Sequence, residues 1–139
     1  MSRSAPPSSQ APYIRDGIIM TRLVNPLVAF LRLGTILIVK GRKTGRMIKI
    51  PLGQPLEFEG KRYLVAGRGN TNWVRNLRAA GGGMLRSQGH LEEFQAVELT
   101  GRDQERVIAE YRTRMGRMVD GMFRQIPSPA DHPVFRVQT

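Results

Sequence analysis

The residues best suited to chemistry lie in one stretch, Thr35 to Pro51, TILIVKGRKTGRMIKIP. An apolar run enters a turn, Gly41-Arg42-Lys43-Thr44-Gly45-Arg46, and an alternating run leaves it. Glycines let backbone N–H groups approach a ligand closely, Thr44 adds a hydroxyl, and Lys and Arg supply charge-assisted hydrogen bonds. Lys40 and Lys49 flank the turn and raise its charge. Such a hairpin tip suits a multiply charged anion; a solvated basic turn is the plainer alternative.

A second stretch offers the same chemistry. Gly67-Arg68-Gly69-Asn70-Thr71-Asn72 follows an apolar strand and precedes a helix expected from about Trp73 to Ala80. A strand, a glycine loop and a helix N-terminus make a natural anion site, here with Arg68. Gly81-Gly82-Gly83 is expected to end that helix, whose inner face reads as Trp73, Leu77 and Ala80 flanked by Val74, with Arg75 and Arg78 elsewhere.

Other chemistries find no support. With no cysteine, disulfides and thiolate metal ligands are excluded. His90 and His132 have no metal-type partner spacing, so no metal is expected. A G-x-S-x-G elbow, a Walker P-loop and a zinc-deaminase pattern are all missing, and Gly67-Arg68-Gly69 fails as a dinucleotide fingerprint because position 72 is Asn. Reactive chemistry, if any, is expected to arrive with a bound cofactor.

The elements that must position these residues follow from periodicity. Strands are expected at Thr35–Lys40 and Met47–Gly53, with Met47 and Lys49 on one face of the second and Ile48 and Ile50 on the other. A second hairpin, Leu56–Phe58 and Tyr63–Ala66, turns at Glu59-Gly60-Lys61; a third, Met84–Ser87 and Glu93–Leu99, turns at Gln88-Gly89-His90. Helix Asp103–Met115 should bury Val107, Ile108, Tyr111 and Met115, with Met118, Met122 and Phe123 continuing the apolar face. A proline-rich loop over Ile126–Ala130 leads to a last strand, His132–Val137. Five or six short strands with few helices argue for a small barrel in one domain, residues 16–139, after a Ser/Pro-rich tail over 1–15. Ile18 to Leu33 reads as amphipathic helix broken at Asn25-Pro26, packed on the domain, covering a substrate entrance or resting on a membrane.

The 139 residues carry a net charge of +11 and a pI near 11.4. Between Gly17 and Leu91 the only acids are Glu57 and Glu59, so the positive field belongs to the part that holds both candidate sites. That charge calls for nucleic acid, an anionic membrane or a polyanionic small molecule. Neither a signal-peptide pattern nor a run long enough to cross a bilayer is read, so the expected location is cytoplasmic.

GRKTGR followed by Pro51, then VAGRGNTNWVRNLRA, then ADHPVFRV, resembles the deazaflavin-dependent nitroreductase family of the FMN-binding split β-barrel superfamily, over about Asn25 to Val137. The resemblance implies an α+β split β-barrel of about six antiparallel strands flanked by helices, and coenzyme F420, an 8-hydroxy-5-deazaflavin, as cofactor. It implies that the cofactor's phosphate and acidic tail sit near Arg42, Lys43 and Thr44, while Ile48, Lys49, Ile50, Pro51, Leu52 and Gly53 run along the ring. Val65, Ala66, Gly67 and Arg68 would form the opposite wall, and Asn72, Trp73, Val74, Arg75 and Asn76 would complete the pocket. Arg68 is the best candidate for stabilising charge during hydride transfer to a small-molecule acceptor: a quinone, an enone or a nitroaromatic. The chain departs from the family pattern at Ile48, where many members carry Arg, and at Gly67, where the family's nitroreductase has a hydroxyl residue. That enzyme's substrate-side tyrosines have no counterpart between Met115 and Phe123. An FMN-binding split barrel, a cofactor carrier without turnover and a basic nucleic-acid-binding module are the competing readings.

Overall fold

The structure, a computed structural model, describes residues 34–139. The tail over residues 1–15 and the helix over residues 18–33 lie outside the described residues. Seven strands form one antiparallel sheet: β1 Thr35–Lys40, β2 Met47–Leu52, β3 Leu56–Phe58, β4 Lys61–Val65, β5 Gly82–Ser87, β6 His90–Glu98 and β7 Val134–Gln138. Their order across the sheet is β2-β1-β5-β6-β7-β4-β3. Helix α1, Asn72–Ala80, connects β4 to β5; α2, Gly101–Met115, a 3-10 turn and α3, Asp120–Gln125, connect β6 to β7. This is an α+β split barrel, with seven strands rather than about six.

The period-two alternation of the strands divides the apolar residues between two cores. Leu64 and Ala66 from β4 and its exit, with Phe135 and Val137 from β7, join Leu37, Val39, Leu85 and Phe94 around α1, which contributes Trp73, Val74 and Leu77. Tyr63 and Val134, one residue out of step, face the opposite way and join Leu56, Val107, Ile108, Val119 and Phe123. One central sheet therefore holds α1 on one side and α2 with α3 on the other. Burying Val74 and Leu77 alone contributes about 1.5–3 kcal/mol each. Ala80, expected on the inner face of α1, is exposed, because the core ends one turn earlier.

The glycine run after α1 divides its labour. Only Gly81 ends the helix, in the left-handed conformation (φ 76°), its N–H bonding the Leu77 carbonyl. Gly82 and Gly83 are instead the first residues of β5, pairing with Gln95 and Phe94. A Cβ on Gly83 would lie 2.6 Å from the Ile38 carbonyl oxygen, and one on Gly82 would meet the Phe94 carbonyl oxygen. Missing side chains here allow close strand approach, so the hairpin is longer than apolar alternation suggests.

The return to β7 is fixed by His132, which is 0% exposed. Its Nε2 donates to the Ile126 carbonyl at 2.6 Å. Its ring stacks on Phe123 at 4.0 Å, and the Arg112 guanidinium lies 4.4 Å from the centre of that Phe123 ring. Gln104 Nε2 donates to the His132 carbonyl at 2.9 Å. This histidine is structural. Met115 and Met122 pack on the second core, whereas Met118 points outward and is 77% exposed.

Gly83→Ala should lower stability by about 1–3 kcal/mol in urea unfolding, since the clash is with backbone that cannot rotate away. Gly53→Ala, with nothing within 4 Å of the added carbon, should stay within about 0.5 kcal/mol of wild type. Equal effects would remove the steric explanation.

Candidate functional site

The β1–β2 turn is built from its own backbone. Gly41 N–H donates to the Arg46 carbonyl at 2.7 Å and Gly45 N–H to the Gly41 carbonyl at 2.9 Å. Arg46 N–H reaches Thr44 Oγ1 at 3.2 Å. The Gly41 Cα faces inward, where a side chain would strike Ile48 Cδ1 at 2.9 Å. The register pairs Val39 with Ile48 and Ile38 with Lys49, so Ile48 and Ile50 face inward and Met47 and Lys49 outward, as the alternation predicts.

The second element is the loop from β4 to α1. Ala66 N–H bonds the Pro133 carbonyl at 2.9 Å, Gly69 N–H returns to the Ala66 carbonyl at 3.0 Å, and Thr71 N–H to the Gly69 carbonyl at 2.8 Å. Gly69 takes φ +87°, which favours glycine. Arg78 on α1 grips Glu98 with two bonds of 2.7 Å and 2.8 Å and also donates to Asn70 Oδ1 at 3.3 Å.

These two elements are clasped together. Asn76 is buried on α1, and its Oδ1 accepts from both the Arg42 backbone N–H at 3.0 Å and Arg42 Nη1 at 2.7 Å. Arg42 Nη2 adds a longer bond to Asn72 Oδ1, 3.4 Å. Between turn and helix lies a cleft of about 510 Å³. Arg42, Lys43, Thr44, Ile48, Lys49, Ile50, Pro51, Arg68, Asn72, Trp73 and Asn76 all border it, together with Gly41 and Thr71. Trp73 is held at one wall by packing against Phe135, ring centres 6.3 Å apart.

The remaining candidates stand behind the walls. Ala66 and Val74 belong to the first core, with Leu52 packed against it; Val65 packs against the second. Gly53 lies just past the end of β2 and is exposed. Arg75 is half-buried on α1.

Electrostatically the cleft is one-signed. Among the described residues no carboxylate borders it. Burial, and then the like charge of Arg75, hold the Arg42 guanidinium below the ordinary arginine range. Helix α1 carries no acid in its first turn, and Thr71 at its N-cap makes no side-chain capping bond. Thr71 Oγ1 is buried and without a partner. A helix N-terminus that leaves its N–H groups and a buried hydroxyl open beside cations is suited to an anion. In the sequence, Thr-Asn before an apolar helix reads as an ordinary cap, and only the unpartnered hydroxyl marks Thr71.

Tyr111 was likewise not expected here. It lies in α2, yet its hydroxyl sits 3.1 Å from where a Gly67 side chain would begin, beside Met122 Sδ at 2.9 Å. A phenol delivered by α2 therefore stands against the backbone next to Arg68. Burial pushes its pKa above the ordinary tyrosine value of 10.0, which keeps it a neutral hydrogen-bond donor at physiological pH.

The model of the F420H(2)-dependent quinone reductase family matches residues 20–127. The chain belongs to the F420H2-dependent quinone reductase family. A solved structure of an F420-H2 dependent reductase (FDR-A) is 22% identical, covers 75% of this chain and 92% of its own, and superposes with a TM-score of 0.55. A structure described as a domain-swapped dimer is 18% identical over 88% of this chain and all of its own, TM-score 0.56. A protein of unknown function, Atu2129 from Agrobacterium tumefaciens, is 16% identical over 92% of this chain and 58% of its own, TM-score 0.54. At these identities the likeness is one of fold. A search of the curated proteins gives no match.

The F420H2-dependent quinone reductase family fixes the protein as an F420-dependent reductase, with coenzyme F420 as cofactor and a small molecule as acceptor. Residues of the cleft fit that group: the buried Thr71 hydroxyl without a partner and the cations Arg42, Lys43 and Arg68 suit an anion, and Ile48, Ile50, Pro51 and Trp73 offer apolar surface to a planar ring. Among the described residues there is no group of acids and histidines able to hold a metal ion.

Two measurements check this description. Asn76→Ala removes the shared acceptor of Arg42 and should cost about 1–3 kcal/mol in urea unfolding, with faster hydrogen exchange at the Arg42 amide; unchanged exchange would break the clasp argument. For Tyr111, the folded pKa is raised, so its contribution to stability is intact below the unfolded value and is lost as pH rises through the folded one. Tyr111→Phe should flatten the alkaline decline of stability above about pH 10, and a decline as steep as wild type would contradict it.

Proposed function

We propose that this cleft binds coenzyme F420 by its phosphate and acidic tail and leaves the ring open to a quinone. The observation that carries the reading is convergence: the cationic turn and the loop-plus-helix N-terminus, more than twenty residues apart in sequence, border one cleft with no acid among its described lining residues.

Each group then has a task. Arg42 and Lys43, with Thr44, hold the anionic tail, Arg42 being pre-aimed by Asn76. Thr71, Asn72 and the first N–H groups of α1 meet a second anionic or carbonyl group. Ile48, Ile50 and Pro51 form an apolar wall that excludes water and stacks flat molecules. Bound and reduced, the coenzyme supplies a hydride. Arg68, bordering the same cleft, stabilises negative charge developing on an acceptor oxygen. Among the described residues no carboxylic acid borders the cleft, and in this reading solvent delivers the proton that completes the reduced acceptor.

A flat, uncharged acceptor suits the apolar wall, and a quinone gains most from a cation, because its negative charge concentrates on oxygen. The test is a titration of the purified protein with coenzyme F420 and separately with FMN, followed by turnover with menadione. Lys43→Ala should weaken F420 binding by about 1.5–3 kcal/mol while leaving the fold intact. Affinity equal to wild type would overturn the tail placement; tighter binding of FMN would overturn the cofactor assignment in this cleft. Failure of bound, reduced coenzyme to reoxidise with menadione would leave a carrier.

A further inference from the structure

The wall of the cleft lacks a side chain at one place, and a phenol from another layer fills it. Lining residues run back along the β4–α1 loop from Asn72 and Thr71 to Arg68. The next residue back is Gly67, which is buried. In the space its side chain would take stand the Tyr111 hydroxyl, 3.1 Å from the position of a Cβ, and Met122 Sδ, 2.9 Å from it. Gly67 does not take a positive φ, so the backbone itself does not require glycine here. What the missing side chain provides is room for the phenol.

Packing holds Tyr111 in that position. Its ring lies against the second core, 6.5 Å from the Phe123 ring and tilted by 51° to it. Phe123 is in turn stacked on the buried His132. The ring is therefore fixed at its base while its oxygen stands beside the loop. Burial alone shifts the hydroxyl pKa, with no hydrogen bond or charge contributing. Among the described residues, then, nothing accepts its proton. A half-buried phenol left unpaired costs free energy that a phenylalanine in the same place would avoid. Beside it is Arg68, the one cation of the loop from Gly67 to Asn72. An uncharged donor next to a cation, at one end of an apolar-walled cleft, fits a carbonyl oxygen on which negative charge develops.

We propose that the Tyr111 hydroxyl donates a hydrogen bond to a carbonyl oxygen of the acceptor, and so selects oxygen-bearing acceptors over flat hydrocarbons of the same shape. The inference rests on the function stated above for this cleft. Arg68 supplies charge, and Tyr111, on a short rigid ring, supplies direction. Tyr111 keeps its proton throughout, and solvent completes the reduced acceptor.

The test compares menadione with 2-methylnaphthalene, the same skeleton without its oxygens. Trp73, the only tryptophan of the chain, borders the cleft and reports binding by its fluorescence. The full chain is titrated without coenzyme and again with oxidised coenzyme F420. Tyr111→Phe should weaken menadione about fivefold, as loss of one neutral hydrogen bond does, and leave the affinities for 2-methylnaphthalene and coenzyme unchanged. In turnover it should lower kcat/KM for menadione about tenfold or more, since the bond strengthens as charge develops. Tyr111→Phe combined with Gly67→Ser should recover most of both losses, because the serine oxygen enters the space the phenol left. The same variant with Gly67→Ala should recover neither, and no difference between the two overturns the proposal. Equal weakening of both ligands would make Tyr111 a packing residue and overturns it too, as does failure of menadione to bind in either state. If menadione is discriminated as expected but the coenzyme does not bind, the hydrogen bond stands and the function proposed above falls. If the coenzyme binds, and menadione binds and reoxidises it in Tyr111→Phe as in wild type, that function stands and the hydrogen bond falls.

Discussion

Everything in the cleft depends on how one arginine is held. Arg42 gives both its backbone N–H and its guanidinium to a single buried oxygen, Asn76 Oδ1. A turn on the tip of a hairpin has few neighbours of its own and would sample many positions. Two bonds to a helix packed in the core convert it into a wall of fixed orientation. The clasp is expensive on its own terms: the guanidinium is partly desolvated and stands near Arg75. Its stability comes from the neighbouring cores, and under the function proposed above a negative group in the cleft would offset that cost.

That imbalance favours anionic ligands over cationic ones. Cations gathered without acids raise the free energy of the empty protein, so a polyanion that neutralises them stabilises the fold while it binds. The opposite arrangement is visible away from the cleft, where Arg62, Arg78, Arg106 and Arg114 each have a carboxylate partner. Mostly exposed pairs of this kind add little stability. Their importance is that they occupy cations in the region where the chain does have acids.

Most of this was legible in the sequence because it rests on local chemistry. The turn at Gly41–Gly45, its flanking strands and the strand-loop-helix around Arg68 are specified by residues close together in the chain, and their side-chain phase follows from alternation. What could not be read depends on distant neighbours. Gly82 and Gly83 look like a helix stop until the carbonyls of Phe94 and Ile38 show why side chains are missing. Ala80 fits the helical stripe but lies beyond the reach of the core. Thr71 resembles an ordinary cap; only its unpartnered hydroxyl marks it. The phase of Tyr63 and Val134 against Leu64 and Phe135 is plain in the sequence, but that both phases are apolar because each face has its own helix layer is a fact of the assembled sheet.

The two-core arrangement also explains how a small protein supports an open apolar cleft. Strands β4 and β7 are covered on both faces, which fixes the loop at Arg68 through the Ala66–Pro133 bond. Strands β1 and β2 lie at the far side of the sheet, and β2 is an edge. An edge strand has backbone groups to spare and is a hazard for unwanted pairing. Here Lys49 and Pro51 blunt it, while the inward residues Ile48 and Ile50 line the cleft. The same strand thus resists association through its edge and offers surface to a flat ligand through its face. Gly67 extends the logic on the opposite wall: with no side chain of its own, it admits the Tyr111 hydroxyl from another layer. A polar group near Arg68 is thereby set by the packing of α2 on the sheet, and substitutions in that helix can alter the surroundings of Arg68 without touching the residues that line the cleft.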